Sequence, residues 1–226
     1  MRDSGEEETT EPVPLPWDEQ AGARFHRVVI LGDPGFGKTW LLRWEAGRLA
    51  RQAARDLAER QVAVDDLGFP IMVRLSVLNR TDGLIEESLR LIVGQYRPRG
   101  FCSFVRRKLQ TANCVILLDA WDEVPLKDDP EEPHSRQELG RRVQIFATAF
   151  PQPSLLMSSR IVGYGSSPIP GAQEVELLAF DAPQVESFVW VWFGGSEETG
   201  TRFLVDCRSK NIEAVTVKTP FYKRAR

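Results

Sequence analysis

Cysteine is scarce: the 226 residues hold only Cys102, Cys114 and Cys207. An odd number without close spacing argues against a disulfide framework and against a thiolate zinc site. Cys114 opens an apolar run and reads as a small core residue. Free thiols point to a reducing compartment, so a cytoplasmic location is expected. Long apolar runs are lacking as well. The longest, Val115-Ile116-Leu117-Leu118, has the length of a strand and falls far short of a bilayer span. No apolar segment follows a basic start, so no secretory signal is read and no membrane is expected as a partner. Nor is there a basic excess. Lys and Arg number 29 against 32 Asp and Glu, a formal charge of −3, so no global field argues for nucleic acid. What remains, 42% hydrophobic and 27% charged residues, is the composition of an ordinary globular chain. Its length suits one α/β domain with a small appendage.

What is present is organised around Gly32-Asp33-Pro34-Gly35-Phe36-Gly37-Lys38-Thr39. This stretch fits the phosphate-loop pattern G-x-x-x-x-G-K-[ST] at every fixed position. It follows the apolar run Val28–Leu31 and precedes a helical stripe of Leu42, Ala46, Leu49, Ala50, Ala53 and Leu57. Glycines permit the tight turns that aim successive N–H groups at phosphate oxygens, and the following helix adds its free N–H groups and positive dipole end. Lys38 is expected to reach the β- and γ-phosphates, and the Thr39 hydroxyl to ligate Mg²⁺. An ordinary glycine turn before a helix is the competing reading. The strand–loop–helix context argues against it.

Along the chain, residues 1–24 form an acidic, proline-bearing tail, in which Trp17 is expected to pack on the domain rather than near a base. The core is expected over residues 25–180. Strands are read at Arg27–Leu31, Ile71–Leu75, Asn113–Asp119, Ser154–Ser158 and Glu174–Leu178. Between them the apolar spacing predicts helices from Lys38 to about Arg60 and over Leu84–Tyr96, Phe101–Leu109 and Leu139–Phe150, with a polar loop over Lys127–Gln137. The basic face Arg106, Arg107, Lys108 reads as a solvated helix surface. Alternating strands and helices give a three-layer α/β domain with a mainly parallel, five-stranded sheet. From residue 181 the pattern is helical. Asp181 is a candidate N-cap, Val185, Phe188, Val189 and Trp192 form a stripe, Gly194-Gly195 a stop, and Glu197–Arg208 a further helix. Residues 181–226 thus read as the start of a small helical subdomain, incomplete as it stands.

The second half of the site is read at the end of the third strand. Four apolar residues lead into Asp119, which would emerge beside Thr39 and support Mg²⁺. Asp122 and Glu123 follow, and three carboxylates so close repel one another, a cost that a cation offsets. Glu123 is the candidate general base, with Asp122 second. A solvated acidic loop is the bland alternative. The fourth strand ends in Ser158-Ser159-Arg160, in the crevice where α/β sheets bind ligands, and Arg160 is placed to meet a γ-phosphate.

Together, Gly32–Thr39, Leu117-Leu118-Asp119-Ala120-Trp121-Asp122-Glu123 and Ser158-Ser159-Arg160 resemble the NACHT module of the STAND class of P-loop NTPases, with the nearest look to bacterial members. Trp192-Phe193 resembles that family's aromatic helix end, and Thr219-Pro220 its Thr-Pro element near the nucleotide, which makes Pro220 a nucleotide-binding candidate. The resemblance implies a P-loop NTPase fold in which the Ser158 strand lies between the phosphate-loop strand and the Asp119 strand. It also implies binding of ATP (or GTP) with Mg²⁺, slow hydrolysis, and nucleotide-dependent self-assembly in signalling or defence. Ala120 stands where the family usually has glycine. The family's winged-helix domain with its nucleotide-reading histidine, its sensor array and its effector domain are not read in residues 1–226, and His26 and His134 do not match that histidine. The sequence reads as an NTPase core cut from, or shortened relative to, a larger switch. An oligomerisation scaffold with negligible turnover is the alternative. A small-molecule P-loop kinase, drawing on Arg97, Arg99, Arg106 and Arg107, is a weaker one.

Overall fold

Period-two alternation on strands buried on both faces decides the architecture. The computed structural model describes residues 15–17, 25–60, 62–80, 99–126, 135–192 and 221–224. Val28 and Ile30 pack on one side of the sheet with Leu117 and Leu156, against Leu41 and Leu42 of helix α1 (Lys38–Glu59) and against Trp17. Val29 and Leu31 pack on the other side with Ile116, Leu118, Leu155 and Met157, against Leu139, Val143 and Phe146 of α4 (Arg136–Ala149). Two apolar layers about one sheet are what continuous apolar strands require.

The strands are β1 (Leu15–Pro16), β2 (Arg27–Leu31), β3 (Phe69–Arg74), β4 (Cys114–Asp119), β5 (Ser154–Ser159), β6 (Gln173–Leu178) and β7 (Phe221–Arg224), in the order β1-β7-β6-β2-β5-β4-β3. The five strands read from the sequence pair in parallel throughout. As the resemblance implied, β5 lies between β2 and β4, with Val29 opposite Met157 and Leu117 opposite Leu156. The remaining helices are α2 (Leu75–Asn79), α3 (Phe101–Lys108) and α5 (Ala182–Trp192). Cys102 and Cys114 are free, and burial pushes the Cys114 thiol up to about 12, so it stays protonated. No helix among the described residues is long and apolar enough to cross a membrane.

Several expectations change. Leu15–Pro16, read within the tail, and Phe221–Arg224, read within the helical subdomain, are strands instead. β7 pairs antiparallel with β6, and β1 with β7. The physical reason is the edge: β6 would otherwise present unpaired N–H and C=O groups. Trp17 packs on the domain as expected, at 0% exposure in the core cluster against α1. The stripe along α1 is buried only near its start; Leu57 is 49% exposed. The segment read as a polar loop to Gln137 ends earlier, because α4 begins at Arg136. Ser135 caps it, its hydroxyl accepting from the Glu138 N–H at 3.4 Å. Ser135-x-x-Glu138 is a capping-box spacing, the signal that marks this start in the sequence. Asp181 caps α5 as expected, accepting from Gln184 N at 2.9 Å while the Gln184 side chain accepts from Asp181 N at 3.0 Å. The helices read over Leu84–Tyr96 and Glu197–Arg208, the Gly194-Gly195 stop, Phe193, Thr219 and Pro220 lie outside the described residues.

Candidate nucleotide site

Gly32 to Thr39 leave the end of β2 and wrap into the first turn of α1. Gly35 and Gly37 adopt φ of 86° and 83°, a backbone that side chains rarely tolerate. Gly32 meets a different limit: a Cβ there would stand 3.3 Å from Leu177 Cβ of β6. α1 starts with no side-chain cap and no acid in its first turn, so its N–H groups and dipole are left to face an anion. Lys38 folds back over the loop, donating from Nζ to Gly32 O at 2.7 Å and Asp33 O at 2.9 Å. An ammonium has three N–H donors, so one remains for a ligand. Partial burial lowers the Lys38 pKa, as does the Arg160 charge, while Asp122, Asp33 and Asp119 oppose the shift.

The acid side of the site comes from the end of β4. Asp119 is only 2% exposed. Its Oδ1 accepts from the Thr39 hydroxyl at 3.0 Å and from the Ser158 hydroxyl at 2.7 Å. Ser158 in turn accepts from the Ala120 N–H at 2.9 Å, which knits the ends of β4 and β5. Ser158→Ala removes both bonds and leaves a buried N–H unmet. The expected cost is about 2 kcal/mol, read as a fall of roughly 5 °C in thermal midpoint.

Ala120 has φ 64° and ψ 57°, among the described residues the one non-glycine at positive φ. This is the position where the resembled family has glycine, and the left-handed turn is the reason. β4 has to reverse there into the 3₁₀ turn Trp121–Glu123, closed by Glu123 N donating to Ala120 O at 3.2 Å. Ala120→Gly is expected to stabilise the fold by about 0.5 kcal/mol, strain relief exceeding the added chain entropy of glycine. Denaturant melts of the two proteins check this.

The turn sends its acids in different directions. Asp122 Oδ1 accepts from the Arg160 backbone N–H at 2.9 Å, and its Oδ2 pairs with Arg160 Nε at 2.8 Å. Glu123, 42% exposed, makes a loose 3.8 Å pair with Arg74 at the end of β3. The mutual repulsion expected of Asp119, Asp122 and Glu123 is eased within the protein itself. Among the described residues no three of His, Cys, Asp or Glu gather as a metal cage. Separate partners, Thr39 with Ser158, Arg160 and Arg74, take up the repulsion instead. The set that does fit a hard cation is the Thr39 hydroxyl with the Asp119 carboxylate, oxygen donors already in contact.

One cleft of about 310 Å³ collects these groups. It is lined by Pro34, Gly35 and Gly37 to Trp40, by Asp119, Asp122 and Glu123, and by Ser158 and Arg160. Arg136 was missed in the sequence because it fell within the presumed loop. It donates to Asp122 O at 2.8 Å and to Val124 O at 2.6 Å from the start of α4. Burial lowers its pKa, with the Asp122 charge opposing.

A parallel sheet with a phosphate loop leaving one strand and an acid ending a strand two positions away defines a P-loop NTPase. The family model described as NACHT domain matches residues 26–196. The chain belongs to the NACHT family, a family of nucleotide-binding NTPases. Among curated proteins, none matches it.

Proposed function

We propose that this chain binds ATP (or GTP) with Mg²⁺ in the cleft above β2, β4 and β5 and hydrolyses it. The observation that carries this reading is the 3.0 Å bond from Thr39 to Asp119, which joins two motif halves 80 residues apart. In this reading Gly32, Asp33, Pro34, Gly35, Phe36 and Gly37 cradle the phosphates, and Lys38 reaches the β- and γ-phosphates with its charge and its remaining N–H. Thr39 and Asp119 would hold Mg²⁺, which when bound neutralises phosphate charge. Glu123, the carboxylate with the loosest protein partner, orients and deprotonates the attacking water. Asp122 is the weaker candidate for that role, because both of its oxygens are engaged by Arg160. Arg160 keeps further guanidinium N–H groups to meet the γ-phosphate. A nucleotide contact from Pro220, cytoplasmic residence, self-assembly and a signalling or defence role are part of the proposal, as the family's habits imply.

A switch with negligible turnover is supported by one contact. Arg160, which would read the γ-phosphate, is bound through Asp122 to the acid turn, so nucleotide state can be felt by backbone without hydrolysis. The kinase reading loses support. Of the arginines it draws on, Arg97, Arg99, Arg106 and Arg107, the last pairs with Asp65 at 3.4 Å and so faces a nearby turn. Binding of ATP, ADP and GTP, with phosphate release and mass in solution recorded for each, tests the proposal. Mg²⁺-dependent phosphate release supports hydrolysis. Nucleotide-dependent mass without release supports the switch, and absence of binding overturns both.

A further inference from the structure

Arg136 opens α4 and spends its guanidinium on backbone. Nε and Nη2 donate to Val124 O at 2.9 and 2.6 Å, Nη2 also reaches Asp122 O at 2.8 Å, and Nη1 reaches Gly163 O at 2.7 Å. The guanidinium also stands 5.8 Å from the centre of the Trp121 ring. The Arg136 N–H adds a bond to Pro125 O at 2.7 Å. Two of the carbonyls bracket Glu123, one residue before and one after. The third belongs to the loop that follows Arg160. A planar fork of charged donors suits several fixed acceptors at once, and such bonds exceed neutral ones in strength.

Glu123 has little else to hold it. Its pair with Arg74 is 3.8 Å long and both side chains are about half exposed, a contact worth little in water. Its carboxylate is therefore placed mainly by the backbone from Asp122 to Val124. That backbone is fixed by Arg136 below and by the Asp122–Arg160 pair at the cleft. We infer that Arg136 is a positioning residue for hydrolysis, fixing the turn that carries Glu123 and tying it to the segment that carries Arg160. This rests on the hydrolytic reading of the site.

The test compares the full chain with Arg136→Ala and Arg136→Lys, measuring phosphate release, ATP affinity and thermal midpoint. A turn displaced by an ångström misplaces the base but leaves the phosphate loop alone. kcat of Arg136→Ala is therefore expected to fall by about 10- to 100-fold, with the ATP Kd within about twofold of the parent. Arg136→Lys, which keeps the charge but not the fork, should fall between the two. Arg136 also lines an open cleft of about 380 Å³ with Trp121, Gly140 and Tyr164. Millimolar guanidinium can thus enter the vacated space, and it should raise the turnover of Arg136→Ala without raising that of the parent. If Arg136→Ala melts below the assay temperature, Arg136→Lys decides, with kcat lowered at unchanged Kd expected. Turnover of the assayed variant within about twofold of the parent overturns the positioning role, as does a matching loss of affinity. A parent chain without Mg²⁺-dependent phosphate release overturns the hydrolytic reading itself, and the role of Arg136 with it.

Discussion

Lys38→Ala is expected to weaken ATP binding by at least about a hundredfold, the largest effect of any single change to the site. The ammonium is held over the phosphate loop by Gly32 O and Asp33 O at 2.7 and 2.9 Å, so it is preorganised before a ligand arrives. The one N–H left free contributes a charged-donor hydrogen bond of about 1.5–3 kcal/mol, and the attraction of the unit charge to the β- and γ-phosphates adds to it, which together give the hundredfold loss or more. The fold should survive, since the core beneath the loop is built from Val28, Ile30, Leu41 and Leu42 rather than from Lys38. Titration of labelled ATP, with a thermal melt as control, reads both quantities. Unchanged affinity in a folded variant would remove the loop from the binding site.

Glu123→Gln is expected to lower kcat by about a hundredfold or more while leaving the ATP Kd nearly unchanged. The amide keeps the size of the side chain but cannot take a proton. Stability should move by less than about 0.5 kcal/mol, because the pair it loses, with Arg74 at 3.8 Å, is exposed and loose. Asp122→Asn is the informative companion. It weakens the bonds to the Arg160 N–H and Nε at 2.9 and 2.8 Å, so it should disturb γ-phosphate contact and stability as well as rate. Should Glu123→Gln retain turnover while Asp122→Asn loses it, the base would be Asp122.

The two acids show where reading a sequence stops. Their adjacency to Asp119 was plain, and so was the chemistry of carboxylates at a phosphate site. Their divergence was not. Local spacing places all three within five residues, yet the left-handed backbone at Ala120 and the positions of Arg160 just past β5 and Arg74 at the end of β3 turn them toward different partners. Arg136 was hidden for a related reason. Its role exists only because the start of α4 is brought under the acid turn. The Ser135-x-x-Glu138 cap could have revealed the helix start but not what the arginine would touch. The strands Leu15–Pro16 and Phe221–Arg224, added beside β6, pair across about two hundred residues of sequence, a distance over which no local pattern carries register.

The sequence by itself determined the five parallel strands and the phosphate loop, because apolar runs, glycine spacing and a following helical stripe are local and each has one physical use. It also named the side chains that we propose hold phosphate and metal. Only the tertiary structure decided how those side chains are aimed. It set Thr39 against Asp119 through the parallel order β2-β5-β4, bound Asp122 to Arg160, and left Glu123 without a tight partner. Those outcomes depend on which strand ends lie side by side and at what register, and that is settled by burying both faces of the sheet at once.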